Sequence, residues 1–159
     1  MHVIESVANA PGPLRDEARA LFREYYAFLQ ATKSCGAHLP RLDDEIGALP
    51  VPYAGQGGEV LVVCVDGSAA ACIAYRATAF DSRTCEIKRL FVRTEFRGHG
   101  LARKLIVEAM DRAAGSGFTR VILDTDTSTM PAAHALYLKL GFREYRPVDG
   151  NLTFLDRAL

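Results

Sequence analysis

The chain lacks an excess of charge of either sign: 19 Lys+Arg balance 19 Asp+Glu, for a formal net charge of zero. That excludes a global electrostatic drive toward nucleic acid, so any anion site has to be local. No apolar run reaches the ~18 residues of a membrane-spanning helix, and no membrane partner is expected. The first residues, Met-His-Val-Ile-Glu-Ser-Val, carry no basic region followed by an apolar stretch. No signal peptide is read there, and a cytoplasmic location is expected. Cys35, Cys64, Cys72 and Cys85 form no Cys-x-x-Cys pair, and three of them fall in strand-like segments. They read as free buried thiols, with no metal site expected. With 49% hydrophobic and 24% charged residues, the composition is neither disordered nor membranous. No repeat, low-complexity stretch or linker interrupts the 159 residues, so one domain spanning 1–159 is expected.

What is present is a set of periodic segments. Leu14, Ala18, Leu21, Phe22, Tyr25, Phe28 and Leu29 are spaced by threes and fours, predicting a helix over 13–31 with Pro13 in its first turn. Leu42, Ile46 and Leu49 suggest a short helix over 41–49. The stretch from Pro50 to Gly58, rich in Pro and Gly, reads as a loop able to serve as a lid. The period then changes. Strands are predicted over 59–65 and 69–79, joined by an Asp66-Gly67 hairpin turn, with a third over 85–92. A helix begins after Gly100 and ends at 115–117, and a strand over 118–124 should return parallel to the 85–92 strand. Pro131 opens a helix over 132–140, Gly141 stands at its C-terminal cap, and 142–145 and 152–155 are the last strands. The fold class is α+β: a mixed, mostly antiparallel sheet flanked by helices, with a central β-α-β crossover.

The stretch 84–105 joins a strand to a helix through Arg97-Gly98-His99-Gly100. The first N–H groups of a helix have no partner within it, and the helix dipole favours an anion there. Glycines at 98 and 100 let that anion approach the main chain. The loop is no P-loop, because Gly-x-x-x-x-Gly-Lys-Ser/Thr is absent. It is no dinucleotide fingerprint either, because Arg103 stands at the third glycine position.

Three motifs in order make the reading specific. Arg97-Gly98-His99-Gly100-Leu101-Ala102 resembles the Arg/Gln-x-x-Gly-x-Gly/Ala motif of the GNAT superfamily of acyl-CoA-dependent N-acyltransferases. Glu86-Ile87-Lys88-Arg89-Leu90-Phe91-Val92 resembles that family's fourth strand, close to a subgroup with Glu-x-Lys-Arg-Leu-Tyr-Val. The segment from Leu123-Asp124-Thr125 through Ala133 to Leu136-Tyr137-Leu138-Lys139-Leu140-Gly141-Phe142 resembles its late-helix motif. The resemblance covers about residues 60 to 145.

The resemblance implies acetyl-CoA as co-substrate. The backbone from Arg97 through Gly98, His99, Gly100 and Leu101 to Ala102 would hold its pyrophosphate. The main chain of Phe91 and Val92 would pair with the pantetheine arm, where the family carries a bulge. It also implies direct attack of an amine on the thioester, with Tyr137 as proton donor to the leaving sulfur. Glu86, an acid in an otherwise apolar strand, is the candidate base; the alternative is a strand-edge charge paired with Lys88 or Arg89. Arg89 suits a substrate carboxylate, or an ion pair with Glu86 or Asp124. Tyr75, the first two helices and the 50–58 loop would shape the acceptor site. His99 and His134 read as surface or structural residues, and Cys85 has no visible His–acid partner for an acyl-Cys route. Many members of the family carry Asn where this chain has Met130. The expected reaction is acetyl transfer to a primary amine of a small molecule or amino acid. A protein lysine or N-terminus as acceptor, or a non-catalytic acyl-CoA-binding domain, stays open. Many relatives pair as homodimers, and the resemblance extends that expectation here.

Overall fold

The computed structural model describes residues 1–9, 12–33, 41–147 and 152–159. An N-terminal strand, β1 (His2–Ser6), leads into α1 (Gly12–Ala31), α2 (Leu42–Gly47) and α3 (Val51–Ala54). Then come the hairpin β2 (Glu59–Val65) and β3 (Ser68–Ala77), β4 (Thr84–Val92), α4 (Leu101–Gly115) and β5 (Arg120–Asp126). The chain closes with α5 (Pro131–Lys139), β6 (Arg143–Pro147) and β7 (Leu152–Ala158). One seven-stranded sheet has the order β1-β2-β3-β4-β5-β7-β6. Only β4 and β5 pair in parallel, as the β4-α4-β5 crossover requires; every other pair is antiparallel. The expected mixed α+β architecture is thus the observed one.

The sheet buries both faces. On one, α4 and α5 pack Leu101, Leu105, Ile106 and Tyr137 against Leu61, Ile73, Ile87 and Leu123. On the other, α1 to α3 pack Leu21, Phe22, Tyr26, Ile46 and Tyr53 against Val60, Val62, Cys72, Ala74 and Phe91. Alternate residues of each strand supply the two faces. At the end of β4, Arg93 fixes α1 to the sheet. Its Nε and Nη2 donate to the two carboxylate oxygens of Glu24 at 2.9 and 2.8 Å.

Four expectations need correction. β1 was not predicted; it pairs with β2 from His2↔Val65 to Ser6↔Leu61, with mostly exposed side chains that give no core periodicity. Tyr26, rather than Tyr25, is the buried tyrosine of α1. The strand predicted over 118–124 runs two residues later. The 50–58 segment is no free lid. It contains α3, Tyr53 is fully buried, and Gly58 lies against the main chain of β3. The expected helix end near 32–36 and Cys35 fall partly or wholly outside the described residues.

Gly58 sets how closely this segment approaches the sheet. A Cβ there would lie 1.7 Å from the carbonyl oxygen of Tyr75 and 2.7 Å from Cα of Arg76. The obstruction is main chain, which cannot rotate away. Gly58→Ala should lose at least about 3 kcal/mol of stability, read from the urea midpoint. Gly47→Ala, where a Cβ meets nothing within 4 Å, should change it by less than about 0.5 kcal/mol.

Candidate active site

The site begins with a defect in β4. Cys72 opposes Phe91 and Ala74 opposes Lys88, so two steps along β3 face three along β4. The extra residue makes a bulge, in which Arg89 adopts a left-handed φ of 61°. The Arg89 carbonyl accepts a hydrogen bond from the Cys72 thiol at 3.4 Å. Alternation is reset there, so Lys88 and Arg89 both face α1 and α2, with Ile87 and Leu90 on the α4 face.

The bulge coincides with a parting of strands. β4 and β5 pair only from Thr84↔Arg120 to Glu86↔Ile122. β5 continues to Asp126 paired with β7 alone, and β4 continues to Val92 paired with β3 alone. A wedge therefore opens between the two central strands. Part of it is a narrow cavity of about 80 Å³ whose walls include Tyr25, Lys88, Arg89, Asp124, Thr125 and Tyr137. Lys88, Arg89 and Asp124 belong to the α1 face of the sheet and Tyr137 to the α5 face, so this cavity runs through the sheet. Leu90, Met130 and Ala133 are shared with a wider cleft of about 650 Å³ on the α4–α5 side.

The wide cleft ends at the N-terminus of α4. Gly98 and Gly100 take φ of 82° and 74°, and nothing stands within 4 Å of where their Cβ atoms would be. Gly100 is the cap, without a side-chain hydrogen bond to the helix start. The first amides of the 15-residue α4 therefore face a concave, solvent-open surface, which suits an anion. Val92, Arg97, Gly98, Gly100, Leu101 and Ala102 line this cleft. Phe91 and His99 do not. The Phe91 ring packs into the α1 core, near Tyr25 and Phe28. His99 is exposed, with Nδ1 3.2 Å from the Phe96 carbonyl oxygen. Arg97 folds back: Nε donates to the Val92 carbonyl at 3.0 Å, and the guanidinium lies 5.4 Å from the Phe28 ring centre.

Tyr137 and Arg89 come together in the narrow cavity; Glu86 and Tyr75 do not line it. Tyr137 is buried on α5 beside Phe142. Burial, aided by the charges of Tyr25 and Asp124, raises its pKa, so its hydroxyl stays protonated near neutrality. Glu86 accepts a hydrogen bond from Arg76 Nε at 2.9 Å and lies 3.6 Å from Lys88 Nζ. Tyr75 is fully buried on the α4 face, where its hydroxyl donates to Glu59 at 3.0 Å and its ring meets Phe118 edge-on. His134 pairs with Glu144 at 2.6 Å. Cys85 is buried, which pushes its thiol up to about 12.

The partner of Arg89 is Glu45, a residue sequence reasoning missed. Nε and Nη2 of Arg89 donate to its two oxygens at 3.0 and 2.9 Å. The Tyr53 hydroxyl donates to the same carboxylate, and the guanidinium lies 5.2 Å from the Tyr26 ring centre. The acidic run Asp43-Asp44-Glu45 at the start of α2 was the available signal, but nothing in it points to a residue 44 positions away. Tyr25, a helix-face core residue by its spacing, also lines the narrow cavity. Burial, the largest influence, pushes its hydroxyl up to about 12; Arg89 opposes the rise and Asp124 adds to it.

The profile of the acetyltransferase (GNAT) family matches residues 16–142. Human N-acetylaspartate synthetase is 33% identical over 129 residues, which are 80% of this chain and 41% of that protein. This chain therefore spans well under half of that relative. An uncharacterized N-acetyltransferase of Schizosaccharomyces pombe is 33% identical over 69% of this chain and 67% of its own length. Among solved structures, a GNAT-family acetyltransferase from Staphylococcus aureus superposes with a TM-score of 0.78 at 15% identity, covering 99% of both chains. Salmonella typhimurium YncA, a putative acetyltransferase solved with its cofactor acetyl-CoA, gives 0.75 at 20% identity, covering 99% of this chain and 94% of its own.

Burial acts to raise the Glu45 pKa, but the hydrogen bonds and charge of Arg89 outweigh it and hold the carboxyl below its ordinary range. A depressed folded-state pKa contributes stability above the unfolded value and loses it as pH falls through the folded one. Glu45→Ala should therefore cost about 3 kcal/mol near neutrality, mostly by leaving Arg89 half-buried without its partner. The wild type's excess stability over this variant should shrink on acidification below the ordinary glutamate range. Urea midpoints across pH check this.

Proposed function

This chain belongs to the acetyltransferase (GNAT) family, and from that premise we propose that it moves an acetyl group from acetyl-CoA to the primary amine of a small molecule or amino acid. The observation that carries the reading is the wedge between β4 and β5. It joins the open N-terminus of α4 at one end to the buried Tyr137 side chain at the other.

In this reading the amides from Gly98 to Ala102 hold the pyrophosphate, with Arg97 swinging off the Val92 carbonyl to meet it. The pantetheine amides then pair with the main chain of β4 at Phe91 and Val92, on the edge that β5 has left. For this role the Phe91 ring can stay in the core, because only its backbone is used. His99 likewise contributes main chain alone. The thioester comes to rest near Leu90, Met130 and Ala133, where the cleft and the narrow cavity meet. A neutral amine attacks its carbonyl carbon, the C–S bond breaks, and Tyr137 gives its proton to the sulfur. Its burial beside the cavity keeps the hydroxyl protonated and within the site where the thiolate forms. Glu86, the base expected from the sequence, is engaged by Arg76 at 2.9 Å and does not line the narrow cavity, so it reaches the site only through its looser contact with Lys88. The narrowness of the through-sheet cavity supports a small acceptor, and the name of the human relative supports an amino acid among small amines.

Incubation with acetyl-CoA and a panel of amines, with free thiol as readout, tests this. Thiol release dependent on an amine is expected. Acetyl-CoA binding without release from any amine would sink the reading. Tyr137→Phe should lower kcat by about 100-fold or more, the usual scale of a lost proton donor, with acetyl-CoA affinity unchanged. Gly100→Val should weaken CoA binding measured by calorimetry by more than tenfold (about 1.4 kcal/mol). It puts a branched side chain over the helix start and strains a left-handed φ.

A further inference from the structure

The groups on the α1 face of the wedge have opposite signs on opposite walls. Asp124 stands on the β5 wall. It alternates with Leu123, which belongs to the α4-side core, so its carboxylate points to the α1 face. It is exposed, and among the described residues no hydrogen bond or ion pair engages it. On the β4 wall the bulge turns Lys88 and Arg89 to this same face. Arg89 gives Nε and Nη2 to Glu45. Lys88 is held more loosely, 3.6 Å from Glu86 and beyond hydrogen-bonding distance. Tyr25 lies between the walls, subject to both Arg89 and Asp124.

A carboxylate facing an ammonium across a narrow cavity is complementary to a zwitterion. We propose that the acceptor is a free α-amino acid, with its ammonium on Asp124 and its carboxylate on Lys88. This assignment rests on the acetyl-transfer reading above and names the substrate class and a further catalytic residue for it. Asp124, rather than Glu86, then receives the amine's proton. The ammonium gives one proton to the Asp124 carboxylate, which is exposed and passes it to solvent. The freed lone pair forms the N–C bond at the thioester carbonyl. The C–S bond then breaks with its electron pair going to sulfur. Sulfur takes the Tyr137 proton, and Tyr137 recovers one from the now cationic nitrogen. Acetylated amino acid, free thiol and one solvent proton result, so the step balances. The acceptor enters from the α1 face and the cofactor from the α4–α5 face, which leaves each a separate way in.

The test compares free amino acids with their methyl esters and with the decarboxylated amines, again by thiol release. The free acids should be preferred at least tenfold in kcat/KM. Lys88→Met should abolish that preference. Asp124→Asn should cut kcat/KM for the free acids about 100-fold and move the pH-rate profile to higher pH, because only amine already neutral would then react. Its acetyl-CoA affinity and urea midpoint should match wild type, which a merely structural role would not predict. Equal use of acids and esters, or an Asp124→Asn variant with wild-type rates, overturns this inference and leaves acetyl transfer standing. Absence of thiol release with every amine overturns both.

Discussion

The site depends on β4 leaving β5 after three paired residues, and the Arg89–Glu45 ion pair is what the parted geometry rests on. A non-glycine residue at positive φ costs about 1 kcal/mol or more. The extra residue of the bulge leaves the regular ladder and is held by side-chain contacts. Here the guanidinium donates two hydrogen bonds to Glu45 and is covered by the Tyr26 ring. The bulge carbonyl is engaged by Cys72. Glu45 is oriented in turn by Tyr53, and Tyr53 belongs to the segment that Gly58 allows against β3. The short helices α2 and α3, which look peripheral, therefore brace the central strand.

Parting two central strands leaves main-chain donors and acceptors without a ladder, which a buried sheet normally avoids. Such an edge persists only where water or a ligand completes it. The amides of a pantetheine arm do so on the proposed reading. The same parting makes the cavity pass through the sheet. Two reactants can then meet from opposite faces, and neither has to pass the other.

The order of elements from β2 to α5 was legible because the residues carry clear periods: alternating apolar residues in the strands, threes and fours in α1 and α4, and left-handed turn residues at Asp66 and Gly67. The glycine turn before α4 was legible because its signal is local, a basic glycine pair before a helix. What was not legible is set by register or by distant contact. Whether Tyr25 or Tyr26 faces the core differs by one position on a helix, and the β4 surface decides it. The bulge at Arg89 is a mismatch between two strands, invisible in either alone. The Glu45–Arg89 pair crosses 44 positions. Composition also misled at 50–58, where Pro and Gly suggested a free loop but a single glycine permits close packing.

The net charge of zero takes on a sharper meaning at the α1 face of the wedge. Arg76, Lys88 and Arg89 stand there with Glu45, Glu86 and Asp124, three charges of each sign. Two of the acids are committed to neighbouring cations, Glu86 to Arg76 and Glu45 to Arg89. That leaves Lys88 and Asp124 as the less engaged pair, on opposite walls. A polyamine would meet one carboxylate and then an excess of like charge, whereas a simple carboxylate would leave Asp124 without a counterion. The excess of like charge is the costlier mismatch, because Lys88 and Arg89 are mostly buried. On the proposed reading, a molecule carrying both signs a few bonds apart satisfies both walls at once, and a locally neutral but polarised site discriminates by charge separation within its ligand.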